Sequence, residues 1–226
     1  MKGNIERVLR KLEAVYGRVR PTRQRAYDMV IYAQCGYPAS EEACSRGHAA
    51  LVRDVGTSPD AILAAPLSSL TRAMRAGGIV PALRARRLVE VAARAKRESA
   101  SSLCSRKVLK QLPTIGDPGA DKILLFTHTE PIAAVPSNAT QVPVRLGFGT
   151  ERRSYAATYR AAQEALDAAL PRTYGARIRA HLLLKQHGQE ICKRARPRCE
   201  VCPLTEDCAW FSGQTLGNGA RGQRAP

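Results

Sequence analysis

The chain has 226 residues, enough for one large domain or two small intertwined ones with a real core. With 44% hydrophobic residues, 24% charged residues and a mean hydropathy of −0.27, the composition fits neither a disordered tail protein nor a membrane span. Thirty-six Lys and Arg against 19 Asp and Glu leave a net charge of +17, which calls for a polyanionic partner, nucleic acid first. A basic protein of membrane surfaces would need an aromatic-rich amphipathic anchor, and aromatics are only 5%.

Ile5, Val8, Leu9, Leu12, Val15 and Tyr16 form one stripe of an amphipathic helix that Gly17 and Pro21 end. No apolar signal core accompanies this acid-containing start, and seven Cys do not pair evenly. The expected compartment is therefore a reducing cytoplasm, where clustered Cys act as metal ligands rather than disulfides. Helices are predicted over about 23–35 and 40–54. A short one opens at Ser58-Pro59-Asp60, and another starts at Pro66 and stops at Gly77-Gly78. A long helix begins at Pro81, with Leu88, Ala92 and Ala95 inward and Arg84, Arg86, Arg87, Arg94, Lys96 and Arg97 crowding its other faces. Short helices follow near 103–111 and 118–127, then an irregular stretch with Pro131, Pro136 and Pro143. Tyr155, Tyr159, Ala162, Leu166 and Ala169 mark a further helix, and Ile178–His187 one more. No alternating run reads as a strand, so the class is all-α, and residues 212–226 read as a disordered tail.

Cys192, Cys199, Cys202 and Cys208 give C-x6-C-x2-C-x5-C, close enough for four thiolates to share one metal centre. Four thiolates suit a [4Fe–4S] cluster or a tetrahedral zinc. Zinc sites usually come as two short-spaced pairs, and the long gaps here depart from that, which favours the cluster. Cys35, Cys44 and Cys104 lack such spacing and read as buried free thiols. Lys193, Arg194, Arg196 and Arg198 lie between the first two ligands. A loop pinned at both ends by metal bonds would present these charges to a phosphate backbone at reduced entropic cost.

Residues 109–124, from Leu109 to Leu124, read as a helix end, a tight turn around Leu112-Pro113-Thr114-Ile115-Gly116, and a new helix carrying Gly119 and Lys122. Such a turn points helix N-terminal N–H groups at solvent, where phosphate oxygens accept them without reading sequence. With the four-Cys loop downstream, the chain over roughly residues 5–211 resembles the helix-hairpin-helix DNA glycosylases of the endonuclease III superfamily. The resemblance implies a six-helix barrel domain at about 21–134. It also implies a second helical domain, from 1–20 and 135–211, that carries a [4Fe–4S] cluster on Cys192, Cys199, Cys202 and Cys208. Double-stranded DNA would lie along the cleft between them, bound by a monomer, with the damaged base flipped out and its glycosidic bond hydrolysed. By the same resemblance, Gln34 of the Ala33-Gln34 pair would fill the hole left by that base. Ile79 or Val80 would wedge against the opposite strand. Leu112, Thr114, Gly116, Gly119 and Lys122 of the hairpin, Arg145, and the basic loop residues would hold the backbone. His187, in the family's approach to the cluster, reads as a structural histidine.

Two positions depart from the family. Members that also cleave the backbone use a lysine two residues after the last hairpin glycine, and that position is Pro118, which has no amine for a Schiff base. The family's aspartate, twenty residues after the same glycine, falls on Pro136. Ser137-Asn138 and Val144-Arg145-Leu146-Gly147 resemble the stretch that follows it, and moving the register to Asn138 or Thr140 supplies no carboxylate. Three accounts stay open: the carboxylate has moved, with Asp28 the first candidate and Glu130 a poorer one; only bases with an already labile bond are removed; or the protein binds DNA without catalysis. Thr114 also stands where the hairpin has its first glycine, which predicts an altered backbone and a weaker phosphate grip.

Overall fold

The structure is a computed structural model and describes residues 4–22, 24–36, 40–98 and 102–213. The regular structure among them is helical: α1 Ile5–Tyr16, α2 Ala26–Gln34, α3 Glu41–Asp54, α4 Pro59–Ala64, α5 Leu67–Arg75, α6 Pro81–Arg97, α7 Arg106–Leu109, α8 Asp117–Phe126, α9 Gln141–Arg145, α10 Tyr155–Ala169 and α11 Tyr174–Glu190. The all-α reading holds. The tail read from residue 212 starts later than expected, since Ser212 and Gly213 still belong to a short helical turn in which Ser212 N–H donates to the Cys208 carbonyl; from residue 214 onward it lies outside the described residues.

Helix starts are written in the sequence. The side chains of Asn4, Ser40, Ser58, Ser154 and Thr173 accept N–H bonds from the first turns of α1, α3, α4, α10 and α11, and Pro59 occupies a first-turn position that has no N–H to satisfy. The Thr173 cap starts α11 earlier than the Ile178–His187 reading. α9 was read as irregular because of Pro143, yet Pro143 is the third residue of a five-residue helix, where the amide would find no intrahelical partner anyway.

The chain divides into two compact units, Thr22–Thr129, and Met1–Pro21 with Glu130–Pro226. In the first, α5 packs on α6 and α3, and α6 also meets α4 and α2. Ile31, Leu51, Ile62, Leu70, Met74 and Leu88 are wholly buried between them. In the second, α1 lies against α11, and Val8, Leu9 and Leu12 share a core with Tyr159, Leu166 and Leu183. Val15, placed by periodicity on the inner stripe of α1, is exposed at the helix edge, and Ala95 of α6 is only half-buried.

The main correction is Arg84. It was grouped with the solvent-facing basics of α6 but is 1% exposed. Its guanidinium donates to the carbonyls of Ile79 (2.9 Å), Met74 (2.6 Å), Gly78 (2.8 Å) and Cys35. Desolvation pulls its pKa below the usual guanidinium value. The position is crowded: a Cβ on Gly77 would lie 1.8 Å from the Cys35 carbonyl oxygen and 2.3 Å from Arg84 Nη1, so only glycine fits.

Candidate functional site

In the unit Thr22–Thr129, α7 and α8 form the predicted hairpin. The buried Asp121 carboxylate pairs with Arg106 across the two helices, and Lys110 meets Asp117 at 2.6 Å across the turn. Leu109, Ile115, Ala120, Ile123 and Leu124 seat the motif in the core. Leu112 is also only 5% exposed, so its side chain is a core anchor rather than a DNA contact; its N–H is held by Leu109 and its carbonyl by Ile115. Gly116 is exposed and, as a glycine, starts α8 without an N-cap side chain, and Gly119 follows in the first turn. Pro118 sits in that first turn, where a missing N–H costs nothing. Lys122 is one turn further on, its ammonium 5.7 Å from the Phe126 ring centre.

Thr114 adopts a φ of 67°, the left-handed conformation that glycine takes freely and a β-branched residue resists. The altered backbone expected from the missing glycine is therefore not found. Gln34, at the end of α2, is wholly buried, and its Nε2 donates to the Pro113 carbonyl at 2.8 Å and to Thr114 Oγ1 at 2.9 Å. Ile79 and Val80 stand out at 63% and 47% exposure, and Val80 is itself left-handed, with φ 47°. Arg84 holds the loop beneath them. Asp28 lies in the first turn of α2, at the other end of that helix from Gln34, with its carboxylate 3.8 Å from Arg25.

In the other unit, Cys192, Cys199, Cys202 and Cys208 line one small pocket together with His187 and Trp210. Among the described residues no set of three His, Cys, Asp or Glu converges tightly enough to hold a single metal ion. Burial pushes the Cys192, Cys199 and Cys202 thiols above their usual range. His187 is buried, with Nδ1 3.2 Å from the Tyr16 hydroxyl and Nε2 3.6 Å from Cys202 Sγ; burial lowers its pKa to about 4, in line with its reading as a structural histidine. Cys35 and Cys44 are buried thiols as expected, and Cys104 is half-buried.

Arg145 does not present its charge to solvent as a phosphate ligand would. Its guanidinium donates to Cys192 Sγ at 3.3 Å and to the carbonyls of Lys193 and Arg194 at 2.9 and 2.8 Å, and it stacks 4.7 Å from the Trp210 ring centre. Gln141 adds a bond to the Cys192 carbonyl at 2.9 Å. These two side chains fix the start of the loop on which Lys193, Arg194, Arg196 and Arg198 are exposed. Pro136 is buried, and its carbonyl accepts from Ala139 N and Thr140 Oγ1, beginning the turn into α9; Glu130 is exposed. Sequence reasoning missed the bracing roles of Arg84, Arg145 and Gln141. Only Arg84 left a signal, since positions 84, 88, 92 and 95 fall on one helical stripe.

An exposed hairpin on an all-helical scaffold, followed by a cavity of four thiols, defines a class of helical hairpin protein. No family model matches the chain. It is 27% identical over 186 residues to endonuclease III of Treponema pallidum, covering 82% of this chain and 84% of that one. It is 30% identical over 105 residues to endonuclease III of Rickettsia prowazekii, 46% of each. Among solved structures it resembles a non-covalent endonuclease III–DNA complex, with a TM-score of 0.75 at 19% identity, covering 94% of this chain and 97% of the other. A thermostable thymine-DNA glycosylase matches with a TM-score of 0.73 at 18% identity, covering 93% and 97%. Over most of its length the chain is thus similar in sequence to endonuclease III and shares its fold with these solved DNA-repair proteins. Among the described residues no helix is long and apolar enough to cross a membrane.

Proposed function

We propose that the protein is a monomeric DNA N-glycosylase that binds double-stranded DNA and removes a damaged or mismatched base, without the lysine-dependent strand-cleaving step. The observation that carries this reading is Pro118. It sits in the first turn of an exposed, uncapped hairpin helix and brings a ring nitrogen with no hydrogen where a nucleophilic amine would be required. Support for DNA binding comes from the net charge of +17, the exposed Lys193, Arg194, Arg196 and Arg198, the Thr114–Gly119 turn with Lys122 behind it, and relatives whose structures are DNA complexes.

In this reading the hairpin and the basic loop grip the backbone, Ile79 and Val80 press into the duplex, and the target base leaves the stack. The bond from C1′ to the base nitrogen breaks, water oxygen bonds to C1′, and the proton goes to the departing base. Positive charge builds on the sugar, and Asp28 is the acid best placed by sequence to stabilise it; its Arg25 contact is long and surface-exposed, which leaves the carboxylate able to turn. A [4Fe–4S] cluster fits the donor set, because four cysteines line one pocket and their C-x6-C-x2-C-x5-C spacing departs from the two short-spaced pairs usual for zinc. Cys192, Cys199, Cys202 and Cys208 would hold it. When bound, it would cross-link the two ends of the basic loop.

A second reading, a DNA-binding relative without catalysis, is favoured by one observation: Pro136 is buried and already used in a turn, so no carboxylate stands at the family position. Single-turnover incubation with duplexes carrying uracil, oxidised pyrimidines, alkylated purines or mismatched adenine separates the two. Release of a free base from one of them, lost in Asp28→Asn, is expected. Tight duplex binding with no base released from any of them would establish the second reading.

A further inference from the structure

We propose that Gln34 is a positioning residue of the hairpin: its buried amide holds Thr114 in the left-handed turn, and it stays there when DNA binds instead of entering the duplex. The inference rests on the DNA-binding reading for its consequence but on the free protein for its geometry. Three observations carry it. Thr114 is a β-branched residue at φ 67°, which needs a compensating contact, and its Oγ1 receives one at 2.9 Å from Gln34 Nε2. The same nitrogen donates to the Pro113 carbonyl at 2.8 Å, so both N–H groups of the amide are spent on consecutive residues of the turn. Pro113 offers only an acceptor there, which fixes the amide orientation and leaves Gln34 Oε1 buried without a hydrogen-bond partner among the described residues. Entering a duplex would require this wholly buried amide to break both bonds to the turn.

Thr114 and Gln34 therefore act as a pair. Threonine brings the hydroxyl that the amide needs, and the amide supplies the restraint that glycine would not need. The next residue, Ile115, donates its N–H to the Leu112 carbonyl at 3.2 Å, and this closes the turn immediately before Gly116 and the phosphate-facing start of α8. Loss of the brace should open this bond first.

The test is a double-mutant cycle on the full-length, cluster-loaded protein with Gln34→Ala, Thr114→Gly and the combination, plus Thr114→Val, which removes the hydroxyl and leaves Gln34 untouched. Two quantities are read: hydrogen exchange of the Ile115 amide in the free protein, and affinity for an undamaged duplex and for one with an abasic-site analogue. Gln34→Ala and Thr114→Val are each expected to speed Ile115 exchange about tenfold or more and to weaken both duplexes by a similar factor. In the Thr114→Gly background, where only the bond to the Pro113 carbonyl remains to be lost, Gln34→Ala should change both by a clearly smaller factor than in the native background. If Gln34→Ala does not fold, the contrast between Thr114→Val and Thr114→Gly decides the same point. Unchanged Ile115 exchange in Gln34→Ala and Thr114→Val overturns the brace. A selective loss of the abasic duplex that Thr114→Gly does not rescue shows that Gln34 enters DNA, and also overturns it. Failure of the native protein to bind either duplex would sink the DNA-binding reading, while the exchange data still decide the brace.

Discussion

The two units fasten their exposed loops in different ways. In Thr22–Thr129, the Ile79–Val80 loop and the hairpin turn are held by buried donors: Arg84 serves four carbonyls and Gln34 serves Pro113 and Thr114. This scaffold is complete with protein atoms alone. In the unit of Met1–Pro21 with Glu130–Pro226, Arg145 and Gln141 fix one edge of the 192–208 loop, and Lys11 of α1 reaches the other edge through Asp207 at 2.8 Å. The middle of that loop is a pocket in which four half-buried cysteines meet apolar side chains such as Val142 and Leu146, and no hydrogen bond between these thiols ties it together among the described residues. One loop is ready before any ligand arrives, whereas the other is shaped for something that enters it.

Breaking the thiol side should give the largest effect. Cys202→Ser is expected to abolish the broad brown absorption of anaerobically purified protein and to loosen α1 and α11 in hydrogen exchange, with α5 and α6 unaffected. Equal loosening of all four helices would erase the contrast. Next comes Arg84→Met, which strands the carbonyls of Cys35, Met74, Gly78 and Ile79. Urea unfolding should show a loss of more than about 3 kcal/mol, of which Arg84→Lys recovers only part, because an ammonium cannot span four acceptors in a plane. The smallest effect sharpens the comparison from the surface. Arg179 joins α11 to α1 through Glu6 at 2.9 Å and Glu13 at 2.8 Å, but it remains partly exposed. Arg179→Ala should cost about 1 kcal/mol or less, and the loss should shrink in high salt.

Legibility followed the same division. The four-Cys spacing, the hairpin and most helix boundaries could be read because they depend on local signals such as caps, prolines and periodic apolar positions. Arg84 gave only its stripe position as a sign, because a buried cation serving carbonyls otherwise looks in sequence like any member of a basic run, and Arg145, between apolar neighbours, gave none. Which carbonyls need a donor is decided by loops far along the chain, as with Cys35, 49 residues before Arg84. Thr114 misled for a related reason. Its side chain suggested a changed turn, but the partner that keeps the turn, Gln34, lies 80 residues away. Pro118 and Pro136, which bring neither an amine nor a carboxylate, each have a local structural use, in a helix start and in a turn.

The central claim, base removal without a lysine nucleophile, is tested most directly by the fate of the sugar after the base has left. A reactive duplex identified in the panel would be incubated with the native protein in the presence and absence of borohydride. Half of each sample would then be treated with alkali. The account predicts free base, an intact abasic strand that breaks only in alkali, no borohydride-trapped protein–DNA adduct, and the appearance of such an adduct in Pro118→Lys. A trapped adduct formed by the native chain, with its peptide mapping to Lys122 or any other lysine, would contradict it.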